Sequence, residues 1–309
     1  SLLQIGCRHS LQGMGCGAAP ADACAAPGEK IKVVRNCSTP GITAAMTFVS
    51  RLPRSLKKQI RLAGCRAIGL WRRYPNSRGR QCLPPRDTAL WEARAHTWQT
   101  STTPIPNQGD ATTRSNRLHN LSTAISRINH RLIKPGEAFS LSQHLDEPTE
   151  VNGYRSGPVF VGGEVLSDVG GGLCLIATNL YHLFLYGGCS ILERHNHSID
   201  AYGEGRFYKL GEDAAIAFSY KDLVIRNCFN QALLLCTTIG SNAVHSRLLA
   251  LEPKPIQTII RSQVLERHAP ISQDQTTAGW SVSTARFSRP IQSGSWRQDY
   301  LSFSHYKPC

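Results

Sequence analysis

The sequence predicts an α+β fold: antiparallel strands with a helix that starts at a Gly-Gly-Gly-x-Cys turn. Three observations carry that expectation. Residues 117–132, RLHNLSTAISRINHRL, repeat apolar side chains at helical spacing. The stretch PVFVGGEVL within residues 158–167 sets two β-prone runs around a Gly-Gly turn, the signature of a hairpin. Helices and strands do not alternate regularly along the chain, as a doubly wound parallel sheet would require.

Taken in order, residues 1–45 are rich in Gly, Ala and Cys without a sustained period and read as a disordered tail or upstream sequence, since Met46 is the first plausible internal start. Residues 46–116 read as a basic amphipathic helix and a linker. The helix spans 55–74, with Leu56, Ile60, Ala63, Ala67, Leu70 and Tyr74 on one stripe and Lys57, Lys58, Arg61, Arg72 and Arg73 around it. It fits a core-packed helix with a solvated basic face, or a helix lying on an anionic membrane surface. Pro75 stops it, and the polar stretch 76–116, with Pro84-Pro85, reads as loop. Residues 117–260 form the patterned domain. Leu118, Leu121, Ile125, Ile128 and Leu132 share one helix face, Pro135-Gly136 breaks the helix, and EAFSL follows as a short strand. After the hairpin come the three glycines, the helix that begins at the cysteine, and Gly187-Gly188 at its end. Residues 190–199 read as a strand, and 214–220 with 222–227 as an antiparallel pair. Residues 261–309 are polar and weakly patterned.

Lys and Arg exceed Asp and Glu by 35 to 21, a net charge of +14, which favours polyanionic partners without naming one. No RNA- or DNA-binding signature accompanies the charge, so no nucleic-acid partner is expected. The eleven cysteines show no CxxC pair or finger spacing, so no structural zinc module is expected. No apolar run is long enough for a transmembrane helix, and no stretch reads as a signal peptide.

Residues 168–188, DVGGGLCLIATNLYHLFLYGG, hold the chemistry. Gly170-Gly171-Gly172 permit a sharp turn and close approach of another backbone. Cys174 then falls in the first turn of a helix anchored by Leu175, Ile176, Leu180, Leu183 and Phe184. The partial positive charge and free N–H groups of a helix N-terminus favour thiolate over thiol and could hold an oxyanion. A buried structural cysteine is the competing reading. In ERHNHS, Glu193, His195 and His197 would share one face of a strand. That set suits a general base beside the thiol, a His₂Glu metal site, or surface histidines without a role. Asp200 and Asp213 are further candidate orienting carboxylates.

The pieces LHNLSTAISRIN, KPGEAFS, YRSGPVFVGGEV, VGGGLC, TNLYHLFL, ERHNHS, GEDAAIAF and KDLVIRN, in that order across 118–227, resemble the VanW-like proteins, named for an accessory protein of B-type vancomycin resistance clusters. The resemblance implies a peptidoglycan-related cysteine acyl-transfer enzyme of L,D-transpeptidase type, acting on stem peptides or wall polymer at the cell envelope, with no cofactor or metal. It implies Cys174 as nucleophile, His197 as base with His195 second, and Asp213 as the orienting or substrate-binding carboxylate. Gly171 and Gly172 would shape the oxyanion region, and Asn179, Tyr181 and Glu193 would stand on the substrate-binding side. The family usually has glutamine directly after the cysteine, where this chain has Leu175. That departure keeps a non-catalytic wall- or membrane-associated accessory role as the alternative.

Overall fold

The computed structural model describes residues 82–161, 164–218, 221–270 and 277–309. The tail expected at 1–45 and the basic helix expected at 55–74 lie outside the described residues. The described chain runs α1 (Pro85–Arg94), β1 (His96–Pro104), α2 (Ala111–Ile128), β2 (Arg131–Ile133), β3 (Ala138–Ser140), α3 (Leu141–Leu145), β4 (Ser156–Val161) and β5 (Glu164–Val169). It continues through α4 (Leu173–Gly187), β6 (Ser190–Glu193), β7 (Val224–Arg226), β8 (Leu233–Ile239), β9 (Ala243–Ala250), β10 (Ile256–His268), β11 (Gly279–Pro290) and β12 (Arg297–Tyr306). The strands form antiparallel sheets in the orders β1-β9-β8-β2, β3-β7-β6 and β10-β11-β12, with β4-β5 as a separate hairpin. The fold is α+β, as the sequence predicts.

Helix α4 is the apolar centre of the molecule. Leu175, Ile176, Leu180, Leu183 and Phe184 are all buried, and the helix packs on β1 and β9. Each such side chain contributes on the order of 1.5–3 kcal/mol when fully buried. The helix ends at a glycine pair. Gly188, at φ +90°, donates to the Leu185 carbonyl and Cys189 to that of Phe184, which satisfies two end carbonyls. Cations from the chain beyond answer the negative end of the helix: Arg286 donates to the Leu185 and Cys189 carbonyls at 3.0 and 2.8 Å, and Lys254 to that of Tyr186 at 2.6 Å.

Several elements depart from the sequence expectation. Helix α2 starts at Asp110, whose side chain accepts from the Thr113 N–H at 2.7 Å, and stops at Ile128. His130 takes φ +58° in the turn that follows, so Leu132 sits in β2 and not on the helix stripe. The segment read as loop between 76 and 116 contains α1, β1 and the start of α2. Strand β1 escaped the pattern because two of its inward positions, Ser101 and Thr103, are polar. They are buried against Asn179 of α4, whose amide donates to the Ser101 carbonyl, Thr103 Oγ1 and the Val244 carbonyl at 3.0–3.3 Å. The Asn179 carbonyl accepts from Ser246 Oγ.

Among the described residues the predicted pair 214–220 with 222–227 shows one bridge, between Ala217 and Lys221; β7 pairs with β3 and β6. The expected strand 190–199 ends at Glu193. The weakly patterned C-terminal stretch folds as a meander, and β10 runs without a break across residues 260 and 261. Its pattern is faint because one face is open, with Ile259, Leu301 and Phe303 exposed, while the other carries polar groups inward: Thr284, Arg286, Ser304 and Tyr306.

Asn179 thus links α4 to β1 and β9 through groups that have no water to fall back on. Asn179→Ala strands at least two buried partners and is expected to lower unfolding stability by about 2–4 kcal/mol, at roughly 1–3 kcal/mol per unsatisfied group. Urea unfolding followed by circular dichroism reads this directly; a wild-type midpoint would mean the network carries no net stabilisation.

Candidate active site

Cys174 is the second residue of α4 and partly exposed, at the start of an otherwise buried helix. The glycine turn before it is built for close packing. Gly172 sits at φ +101°, and a Cβ there would fall 2.9 Å from Cγ of Arg117. The Gly171 carbonyl accepts from the Asn120 amide at 3.0 Å, and the same side chain holds both backbone groups of Arg155. Hairpin β4-β5 lies directly against the turn, since a Cβ on Gly157 would meet the Gly171 Cα at 3.3 Å. Leu173 and Leu175 donate their N–H groups to Gly170 and Gly172, whereas among the described residues no backbone carbonyl accepts from Cys174 N–H. That group is free to meet a ligand at the positive end of the helix.

His197 and Asp213 complete a chain of contacts from the thiol inward. His197 Nδ1 lies 2.6 Å from Asp213 Oδ2, and its backbone N–H donates to the same oxygen at 2.7 Å. The carboxylate only accepts, so Nδ1 carries a proton, and the ring's other nitrogen is left for its hydrogen bond with Cys174. Tyr208 stacks on the imidazole with ring centres 5.9 Å apart. Asp213 is fully buried; Arg194 Nη2 meets its Oδ1 at 2.8 Å, and the Tyr306 hydroxyl donates to that oxygen too.

The charges follow. Burial would raise the Asp213 carboxyl, but the Arg194 charge and the His197 bonds and charge hold it well below the usual carboxylate range. Burial disfavours charge on His197, yet its hydrogen bonds and charge interactions with Asp213 and Cys174 lift it to about 10. Burial pushes the Cys174 thiol up, but the hydrogen bond and charge of His197, helped by the Ile216 backbone and the Lys221 charge, bring it below its ordinary value. Both shifts run in the direction of a thiolate–imidazolium pair.

The helix places these groups by its own period. Thr178, one turn below Cys174, both donates to the Ala214 carbonyl and accepts from its N–H, at 3.2 and 3.0 Å. His182, a further turn on, lies 3.8 Å from Glu212. This polar stripe fixes the segment 212–216 along α4, so that Asp213 stands behind His197 and the Ile216 carbonyl stands 3.7 Å from Cys174 Sγ.

Other expected site residues lie elsewhere. His195 pairs with Glu193 at 2.9 Å, and the Glu193 carboxylate also takes the Asp222 N–H at 3.3 Å. Because β6 stops at Glu193, the alternation that would place Glu193, His195 and His197 on one face fails: Arg194 and His197 both turn to Asp213. The three do not bring ligand atoms together, which corrects the His₂Glu alternative. Asp200 is held by Arg206 at 2.8 Å. Asn179 and Tyr181, expected on the substrate-binding side, are fully buried in the core; the Tyr181 hydroxyl meets that of Tyr300 at 3.1 Å, and the Arg194 guanidinium lies over its ring. Thr178, Arg194, Asn120, Tyr208 and Tyr306 were missed. The spacing of residues 174, 178 and 182, polar positions in an apolar helix, was a readable signal for Thr178; nothing local marks Tyr306.

The family model described as VanW like protein matches residues 116–249. The uncharacterized protein YoaR of Bacillus subtilis (strain 168) is 28% identical over 149 residues, 45% of this chain and 48% of that protein. The vancomycin B-type resistance protein VanW of Enterococcus faecalis (strain ATCC 700802 / V583) is 28% identical over 154 residues, 48% of this chain and 55% of that protein. The chain thus spans about half the length of the curated relatives it matches. No solved structure matches.

Alkylation of Cys174 against pH, followed by mass spectrometry of its peptide, tests the ion pair. The thiolate is the reacting form, so a lowered pKa puts the half-maximal rate below about 8.5. His197→Ala removes the cation and should move the midpoint up; Asp213→Asn should move it the same way by weakening His197. An ordinary midpoint in the wild-type protein would show that the pair is not ionised.

Proposed function

We propose that the protein, whose residues 116–249 match the family model described as VanW like protein, is a cysteine acyl-transfer enzyme acting on peptidoglycan stem peptides, of L,D-transpeptidase type, with a role in glycopeptide resistance. The observation that carries this reading is the Cys174–His197–Asp213 chain at the start of α4. The Cys174 thiolate attacks a stem-peptide carbonyl, and the new oxyanion turns toward the Cys174 N–H and the helix end. The His197 imidazolium gives its proton to the departing amine as the C–N bond breaks, leaving a thioester on Cys174. An acceptor amine then attacks the thioester, His197 takes up the amine proton, and the thiolate leaves with a new amide formed. Asp213 holds the imidazole in place and balances its charge throughout; Gly171 and Gly172 shape the turn beside the oxyanion.

The setting would be the cell envelope, where the +14 charge suits anionic wall polymer. Among the described residues no helix is long and apolar enough to cross a membrane, so any helical membrane contact made by these residues would be at the surface. One observation favours a second reading, a non-catalytic wall-associated module: Leu175 is buried in the core and brings no polar group to the site.

Acyl exchange between synthetic stem peptides and an amine acceptor separates the two. Cys174→Ser is expected to lower the rate at least ~10³-fold and His197→Ala by ~10²–10⁴-fold, with the fold intact by circular dichroism. A thioester-linked peptide mass on Cys174 would establish the intermediate. Exchange that persists in Cys174→Ser, or salt-sensitive wall binding without any exchange in the wild type, would replace the enzymatic reading with the accessory one.

A further inference from the structure

The sheet β1-β9-β8-β2 has a second face, turned away from α4 and partly covered by α1. There Leu234, Cys236 and Leu249 form a small apolar cluster of their own, packed by Leu83, Trp91 and Leu132. On its edge three side chains from distant segments converge. Glu92 comes from α1, His130 from the turn between α2 and β2, and Cys236 from β8; a carboxylate oxygen, an imidazole nitrogen and the thiol sulfur lie within 4.8 Å of one another.

We propose that Glu92, His130 and Cys236 bind a zinc-type divalent ion that clips α1 to the sheet. The donor set is that of zinc: one thiolate, one neutral imidazole and one carboxylate, a total of two negative charges against two positive. Ligand atoms around tetrahedral zinc stand about 3–4 Å apart, given metal–ligand bonds of roughly 2.0–2.3 Å, so the site closes by about an ångström. Glu92 is exposed and His130 half-buried, so both side chains can make that movement, while buried Cys236 stays fixed in its strand. Binding replaces the Cys236 S–H bond with a metal–sulfur bond and releases one proton to solvent. The fourth position is left for water.

Two further features orient the ligands. Arg247, the cross-strand partner of Cys236, donates to Glu92 Oε1, which leaves the other carboxylate oxygen for the metal. The His130 turn is pinned: the Asn129 side-chain oxygen accepts from both the His130 N–H, at 3.0 Å, and the Thr237 N–H, at 2.8 Å. His130 itself is one of two non-glycine residues at positive φ among the described residues, a conformation that an L-residue adopts at a cost. The site was silent in the sequence because residues 92, 130 and 236 share no ligand spacing.

Cobalt(II) tests the proposal, since a thiolate ligand gives it a near-ultraviolet charge-transfer band. Full-length protein, reduced and stripped with chelator, is titrated with Co²⁺ alone. The wild type and Cys174→Ser should bind one more equivalent than Cys236→Ser, with the corresponding loss of band intensity. Glu92→Gln, on the exposed side of α1 and so without consequence for folding, should weaken that equivalent at least tenfold. Zn²⁺ should raise the thermal midpoint of the wild type more than that of Cys236→Ser. Equal stoichiometry in wild type and Cys236→Ser, or unaltered affinity in Glu92→Gln, would overturn the assignment.

Discussion

The buried carboxylate of Asp213 is the constraint on which the rest of the structure turns. A charge with no access to water costs several kcal/mol unless partners replace its hydration. Here Arg194 supplies the countercharge, Tyr306 and the His197 backbone donate hydrogen bonds, and the His197 ring completes the shell. Each partner comes with a structural obligation. Arg194 can reach only because β6 ends before it, and its guanidinium also donates to the Asp213 carbonyl through Nε and to Ser304 Oγ through Nη1. Tyr306 is the last residue of β12, outside the family match, so the C-terminal meander is part of the frame that keeps Asp213 ionised. Breaking one member of such a set leaves a charge uncompensated, a loss of about 3–5 kcal/mol. The same ionised carboxylate sets the tautomer and orientation of His197, so stability and the state of the thiol depend on one group.

Helix α4 converts that constraint into geometry. It is apolar on most of its surface and polar along the line of Cys174, Thr178 and His182. The apolar side fixes the helix in the core; the polar line registers the segment that holds Asp213. The two ends are treated oppositely. Cations from the C-terminal meander and its approach, Arg286 and Lys254, occupy the carbonyl end, while the N–H end opens at Cys174 behind glycines that bring no side chain into the space. The positive end of the helix dipole thereby faces Cys174.

Much of this was legible in sequence. The hairpin and the α4 helix from its glycine turn to Gly188 followed from local patterns, and Cys174, His197 and Asp213, candidates from pattern and motif resemblance, lie together in space. What stayed hidden was non-local or polar. Strand β1 presents Ser101 and Thr103 inward to a buried asparagine, which defeats a search for apolar alternation. Thr178 lies on a readable polar line with Cys174 and His182, but its partner, the backbone of Ala214, is 36 residues away and carries no local signal. Parity along ERHNHS misled because it assumes the strand continues, and the pull of Asp213 on Arg194 and His197 ends it. Asn179 and Tyr181 lie buried in the core, a placement that local pattern does not reveal.

Position 175 shows how packing beside the cysteine is separate from its ionisation. One residue on from Cys174, its side chain is turned about 100° around the helix and packs into the core. A glutamine in that orientation would bury an amide that must find partners; leucine removes the demand and adds apolar contact. The Cys174 N–H, the helix dipole and the glycine turn are groups that no side-chain substitution at 175 alters. Leucine at 175 and the Cys174–His197–Asp213 chain are therefore compatible, because the first concerns packing beside the site and the second the ionisation within it.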